Sequence, residues 1–280
     1  MKIEDFFRGL PGRIRRNPIR YTGLAIVLIL IFVAIFAEYL APYPMTYHGE
    51  SLEPPSFKHL LGTNNMGQDV LSQVILGTTL SIEIGLMSAA ISIGVGVTIG
   101  ILAGYYRGAL EQFLLAVTDA FIIIPSLPLM IVLVAYTKPS AVIIVFAISI
   151  LAWCPMARVV HPRVLAIMNS QFVITSKMLG KSDLYILVNH IIPNCWKIIS
   201  AKFALAVGTG MLAEASLSFI GLGDRFSTSW GTIVNQAFRG GALLMGYWWW
   251  YLIPSLMICM AVMAFMMLTY STTEETGVVE

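Results

Sequence analysis

Charged residues are scarce in this chain. Asp, Glu, Lys and Arg together make up 11% of its 280 residues, less than half the share of about 25% found in soluble domains. With 58% hydrophobic residues and a mean hydropathy of +0.81, a water-soluble enzyme is excluded. The 17 basic and 15 acidic residues leave a net charge of +2, too weak a field to hold nucleic acid. Cysteine is limited to Cys154, Cys195 and Cys259. Without a C-x-x-C pair or a zinc-spaced His, these exclude a disulfide framework and a metal site. The G-x-x-x-x-G-K-[ST] phosphate loop is absent, so the chain does not bind ATP by that route. The four histidines are scattered, and no Ser/His/Asp or Cys/His arrangement stands out, so no catalytic residue is assigned. What the sequence has in quantity is apolar length, with 15 Met and 23 Gly suited to closely packed membrane helices.

A hydrocarbon core about 30 Å thick needs roughly 20 apolar residues in a helix. Six runs meet that length: residues 21–37, 84–106, 113–137, 139–157, 203–223 and a final span within 240–273. The expected fold class is therefore an all-α membrane protein with six transmembrane helices. Its parts are an N-terminal tail (1–20), a first transmembrane helix (21–40), an outer loop (41–79), a five-helix core (80–270) holding a polar loop at 158–198, and a C-terminal tail (271–280). The first run follows a basic tail and lacks a small-x-small cleavage site, so it reads as a retained anchor rather than a signal peptide. Placing both termini in the cytoplasm puts 13 of the 17 Lys and Arg inside, as the positive-inside rule requires. The expected location is the cell (plasma or inner) membrane, with lipid as solvent.

Two polar segments have internal pattern. In the outer loop, Val70, Leu71, Val74 and Ile75 recur at helical spacing, which predicts a short helix over 68–76 lying on the membrane surface. In the loop 158–198, residues 172–179 read as helix and stop at Gly180, the residue that best accepts a left-handed stop. Ser182 offers an N-cap hydroxyl and Asp183 an acidic first turn to the next helix, which is expected to end before Pro193. The result is a helix–turn–helix elbow, readable as a docking element or as a plain connection.

Within the spans, Ser88, Ser92, Gly96, Gly100 and Gly104 put a small residue at every fourth position, a stripe that lets another helix approach closely. That partner is a neighbouring span of the same chain, a sister subunit or a moving helix. Glu214 lies near the middle of the fifth run, where an unpaired charge costs roughly 3 kcal/mol or more. Ala206, Gly210 and Ser218 share its face. Glu214, Gly210, Ser218 and Asp119 are candidates for lining a translocation path, with structural hydrogen bonding the alternative. Pro125 and Pro128 predict a kink in the third run.

Longer stretches carry a resemblance. The elbow, Phe172 through Asp183 followed by His190-Ile191-Ile192-Pro193-Asn194, resembles the cytoplasmic signature of inner-membrane permeases of ATP-binding-cassette importers. His59-Leu60-Leu61-Gly62-Thr63, Gly67, Asp69-Val70-Leu71-Ser72, Gly104-Tyr105-Tyr106, Asp119, Pro125, Glu214 through Gly223, and Trp230-Gly231 look like the second permease of dipeptide and oligopeptide transporters. Ile174-Thr175-Ser176 stands where that family usually has Glu-Ala-Ala. Asn64, Gln68, Gln73 and Thr79 stand where it commonly has an Asp and several Arg.

The resemblance implies the six-span importer permease fold and a subunit forming half of a path for short peptides. Ser176, Lys177, Leu179, Gly180, Lys181, Ser182, Asp183 and Leu184 would be the coupling helix gripped by an ATPase. It also implies partners: a second related permease, two ATP-binding-cassette ATPases and an extracellular solute-binding protein. No cofactor is expected on this chain; ATP and Mg would belong to the ATPases. Oligosaccharide or nickel import by the same architecture is the alternative. A stand-alone channel or secondary carrier is more distant, since no inverted repeat is visible.

Overall fold

The computed structural model describes residues 17–224 and 226–269. The expected cytoplasmic charges Lys2, Arg8, Arg13, Arg15 and Arg16, the outer Arg225 and the C-terminal tail lie outside the described residues. Among those described, the architecture is helical, and β-pairing is limited to one isolated bridge between Thr63 and Asp69. The helices are α1 (Pro18–Ile35), α2 (Ala37–Leu40), α3 (Val70–Tyr106), α4 (Gly108–Ile123), α5 (Ser126–Ala135), α6 (Ala141–Ala152), α7 (Cys154–Met168), α8 (Gln171–Met178), α9 (Asp183–Ile186), α10 (Ile192–Leu217), α11 (Trp230–Arg239), α12 (Ala242–Met245) and α13 (Trp248–Met267). Among the described residues, four continuous helices are long and apolar enough to cross a membrane, and the number reaches six if each of two bent pairs crosses as one span.

Both bends have proline chemistry behind them. α4 and α5 meet at 80°. Ile124, the residue before Pro125, is extended (ψ 124°) because the proline ring excludes the helical region there. Pro128 sits in the first turn of α5, where its missing N–H leaves nothing unpaired. α6 and α7 meet at 42°, with Pro155 in the first turn of α7.

Two expected boundaries move. Gly77 keeps helical backbone, so residues 70–76 form the first turns of the 37-residue α3 rather than a separate surface helix. The helix after Ser182 does not stop before Pro193. A wide turn over Leu187–Ile191, with one extra residue per hydrogen-bonded ring, carries the chain past the proline into α10, and Asp183–Leu222 runs as one helix of 40 residues. Pro193 thus lies inside a continuous helix directly after the wide turn, whose altered hydrogen-bond register accommodates the missing donor.

The chain forms two compact units, one of residues up to Glu83 with those from Glu214 onward, the other Ile84–Ala213. In the first, α1 packs on α13 at Gly23, where a Cβ would lie 2.7 Å from the Ala264 carbonyl. Trp230 at the start of α11 is fully buried and donates its indole N–H to Val74 O at 3.0 Å. In the second, the stripe on α3 packs against α7. Cβ atoms at Gly96, Gly100 and Gly104 would stand 2.5 Å from Trp153 O, 2.9 Å from Ala157 O and 2.8 Å from Val164 Cβ. Only glycine permits this approach, which brings the two backbones into contact within the chain.

Candidate coupling elbow and transmembrane cavity

The elbow belongs to the second unit and contains few irregular residues: 169–170 before α8 and 179–182 after it. α8 ends in a Schellman arrangement. Gly180 has φ +70°, its N–H donates to Lys177 O at 3.0 Å, and the Lys181 N–H donates to Ser176 O at 3.2 Å. The Ser182 hydroxyl then accepts the Tyr185 N–H at 3.3 Å and caps α9. The caps satisfy orphan groups on both sides of the turn and fix its backbone path.

Apolar side chains fix the elbow to the helices behind it. Val173, Ile186 and Ile191 are fully buried in one cluster with Val160, Val164 and Ile167. Ser176 Oγ donates to Phe172 O (2.8 Å) and lies 3.1 Å from His190 Nε2. Tyr105, in the last turn of α3, donates its hydroxyl to Asp183 at 2.6 Å, and Lys177 Nζ sits 5.0 Å above the Tyr105 ring. Arg107 donates to the Asn169 side chain at 2.9 Å. The outward side is the reverse of this. Met178, Leu179 and Leu184 are 82%, 72% and 70% exposed, an apolar tip flanked by Lys177 and Lys181. A capped turn that leaves three apolar side chains exposed together has the anatomy of an interaction site.

The four path candidates do not form one constellation. Glu214 is buried, and one of its carboxylate oxygens accepts from Ser218 Oγ at 2.6 Å and Ser229 Oγ at 2.7 Å. Ser229 heads α11 through a reciprocal capping box with Thr232. A Cβ at Gly231 would come within 2.7 Å of Ala215 Cα. Glu214 thus anchors the start of α11 closely against its own helix. Asp119 pairs with Arg158, which projects from α7, and its neighbour on α4, Glu111, lies 2.7 Å from His161 Nε2.

Gly210 has different surroundings. With Ser88, Ser92 and Thr209 it lines a cavity of about 250 Å³ inside the second unit, completed by Ser126 and by apolar residues such as Met130, Ile148 and Leu151. Ser88 and Ser92 are buried at its floor, whereas Thr209 and Ser126 are exposed at its rim. A Cβ at Gly210 would fall 2.5 Å from Ser88 Oγ, so glycine there is what lets that hydroxyl stand beside α10. The broken α4–α5 pair brings Ser126 to this cavity, a placement that the linear pattern does not reveal.

Residues singled out between His59 and Thr79 form a hydrogen-bonded network. His59 is fully buried with Nδ1 2.9 Å from Asp69 Oδ1. The other Asp69 oxygen accepts the Ser72 N–H and hydroxyl, each at 2.8 Å, and so caps α3. Gln68 Oε1 accepts from Asn64 Nδ2 at 3.0 Å and from Gln73 Nε2 at 2.8 Å. Thr79 donates to Ala34 O at 2.9 Å. Asn64, Gln68, Gln73 and Thr79 therefore bond to one another and to backbone.

Comparison with known proteins gives this geometry its context. Residues 96–273 match the family described as binding-protein-dependent transport system inner membrane component, and residues 4–55 match the N-terminal TM domain of oligopeptide transport permease C. The dipeptide transport system permease protein DppC of Bacillus subtilis is 31% identical over 256 residues, which is 90% of this chain and 79% of that protein. OppC, the oligopeptide transport system permease of the same organism, is 32% identical over 90% of this chain and 83% of its own length. The glutathione transport system permease GsiD of Pectobacterium atrosepticum is 30% identical over 95% and 87%. Among solved structures, a chain of the methionine ABC transporter MetNI in inward-facing conformations superposes with a TM-score of 0.52 at 16% identity, covering 71% of this chain and 99% of that one. That likeness concerns the fold, the type I importer permease fold. The chain therefore belongs to the family of binding-protein-dependent transport system inner membrane components.

Proposed function

We propose that this chain is one of two related permeases of an ATP-driven importer of short peptides, and that its elbow is the handle by which separate ATPase subunits move it. In this reading both termini face the cytoplasm, two ATP-binding-cassette ATPases sit beneath the elbows of the two permeases, and an extracellular solute-binding protein delivers the cargo. ATP and Mg belong to the ATPases. This chain contributes half of the path and no covalent chemistry.

The observation that carries the reading is the elbow tip. Met178, Leu179 and Leu184 are exposed while Val173 and Ile186 behind them are fully buried, so force applied to the tip is transmitted to a packed cluster. Ser176, Lys177, Leu179, Gly180, Lys181, Ser182, Asp183 and Leu184 form the docking element, with the two lysines supplying charge at its edge. Ile174-Thr175-Ser176 lacks the acidic residue usual at that point, so the grip relies on apolar contact. The peptide cargo is supported by the relatives, named for dipeptide, oligopeptide and glutathione transport. The experiment is purification of the tagged chain from its native membrane in mild detergent. An ATPase pair and a sister permease should copurify and drive peptide uptake after reconstitution. A chain that purifies alone and conducts solute without nucleotide would contradict the reading.

A further inference from the structure

The cavity bounded by Ser88, Ser92, Gly210 and Thr209 has a polarity that its hydroxyls alone would not suggest. A hydroxyl has one proton to give, and in these helices the proton goes to the helix's own backbone. Ser88 Oγ donates to Gly85 O at 3.1 Å, Ser92 Oγ to Ser88 O at 2.6 Å, and Thr209 Oγ1 to Ala206 O at 3.1 Å. What these three side chains present to the cavity is oxygen lone pairs. The rest of the lining is largely apolar, and none of it is charged, aromatic, imidazole or thiol. Its volume of about 250 Å³ lies just under the range of roughly 300–1,000 Å³ usual for small-molecule sites.

These features select among ligand classes. Nickel calls for imidazole, thiolate or carboxylate donors, and the lining supplies none. A sugar ring would find no aromatic face to lie on. An ion of either sign would meet no countercharge, so only the uncharged middle of a peptide fits within, its charged ends lying outside the rim at Thr209 and Ser126. A compact, uncharged segment rich in N–H donors with small apolar side groups fits both the acceptor oxygens and the apolar surface.

We propose that this cavity is a resting site for the main chain of a short peptide during passage, with Ser88, Ser92 and Thr209 accepting its N–H groups. The inference rests on the peptide-importer reading and names the part of this chain that meets the cargo. Gly210 is then a specificity-determining position, since any side chain there would displace the Ser88 hydroxyl.

The test uses the complete transporter, this chain with its partner subunits, reconstituted in vesicles with radiolabelled trialanine, maltotriose and Ni²⁺ as separate probes. In the combined variant Ser92→Ala, Thr209→Val, which removes two acceptors at nearly constant volume, trialanine uptake should fall about tenfold. A second measurement serves should that variant fail to assemble. Modification of a Thr209→Cys variant by a methanethiosulfonate reagent, corrected for the unsubstituted protein, should slow at least threefold with saturating trialanine and not with maltotriose. Undiminished trialanine uptake in the double variant, or no protection of the Thr209→Cys thiol, overturns the cavity assignment while leaving the peptide reading intact. Uptake of maltotriose or Ni²⁺ but not trialanine by the unsubstituted transporter overturns both.

Discussion

The Tyr105 hydroxyl donates a 2.6 Å hydrogen bond to the Asp183 carboxylate, joining residues 78 positions apart. It links the last turn of α3 to the first turn of α9. The Lys177 ammonium, 5.0 Å over the same ring, adds α8 to the junction. A tilt of the elbow therefore carries the end of α3 with it. The Tyr105→Phe variant keeps the ring and the lysine contact and removes the bond, at a stability cost of about 0.5–1.5 kcal/mol. Molecules imported per ATP should drop severalfold while ATP hydrolysis continues. Uptake and phosphate release measured in the same vesicles give that ratio, and an unchanged ratio would refute the link.

Gly180 is tested by conformation rather than by fit. A Cβ there would meet nothing within 4 Å, yet φ is +70°. Left-handed backbone costs a residue with a side chain roughly 1–2 kcal/mol, and a β-branched one more. Gly180→Val should therefore loosen the elbow, seen as faster limited proteolysis near residues 171–186 and loss of transport, with membrane insertion retained. Gly180→Asn, which tolerates this region, should keep most of the transport. Equal behaviour of the two variants would argue against a role for the turn's geometry.

Glu214 separates hydrogen bonding from charge. Glu214→Gln still offers an oxygen to Ser218 and Ser229, now 2.6 and 2.7 Å from the carboxylate, and should unfold within a few degrees of the unsubstituted protein in detergent. Glu214→Leu leaves two buried hydroxyls without their acceptor, at about 1–3 kcal/mol, and should lower the midpoint clearly. Equal midpoints would mean that the capping of α11 does not depend on this side chain.

The glycine stripe predicts a graded response. At Gly100 an added Cβ would sit 2.8 Å from Val160 Cβ and 2.9 Å from Ala157 O, so Gly100→Ala forces the helices apart at about 1–3 kcal/mol. Gly94, with nothing within 4 Å of its Cβ position, should accept Ala with little change. Thermal unfolding of the two variants side by side decides the point.

Much of this was legible along the chain, for physical reasons. Apolar runs bounded by charge had to become membrane helices, because backbone polar groups in lipid have to be satisfied internally. The Gly180 stop and the Ser182 cap were readable because each depends on one residue's local chemistry. Pro193 was misleading. A proline usually ends a helix, but the wide turn over Leu187–Ile191 absorbs it, and such a turn has no local signature. The segment at 70–76 looked like a surface helix because its polar side chains face a buried network, Asp69, Ser72 and Gln73 all being buried, rather than water. The cavity was invisible because it needs Ser126, Ser88 and Thr209 from three separate helices. Periodicity reports which face of a helix is polar and says nothing of what meets it.

The central claim is that the elbow tip is gripped by an ATPase, and site-directed cross-linking tests it most directly. With Leu184→Cys, 70% exposed in the isolated chain, a short thiol–amine cross-linker applied to the assembled transporter in native membranes should join this chain to an ATPase subunit, with a yield that changes when nucleotide is added. Leu184→Cys left fully open to a membrane-impermeant thiol reagent in the assembled transporter, with no ATPase captured, would contradict the account.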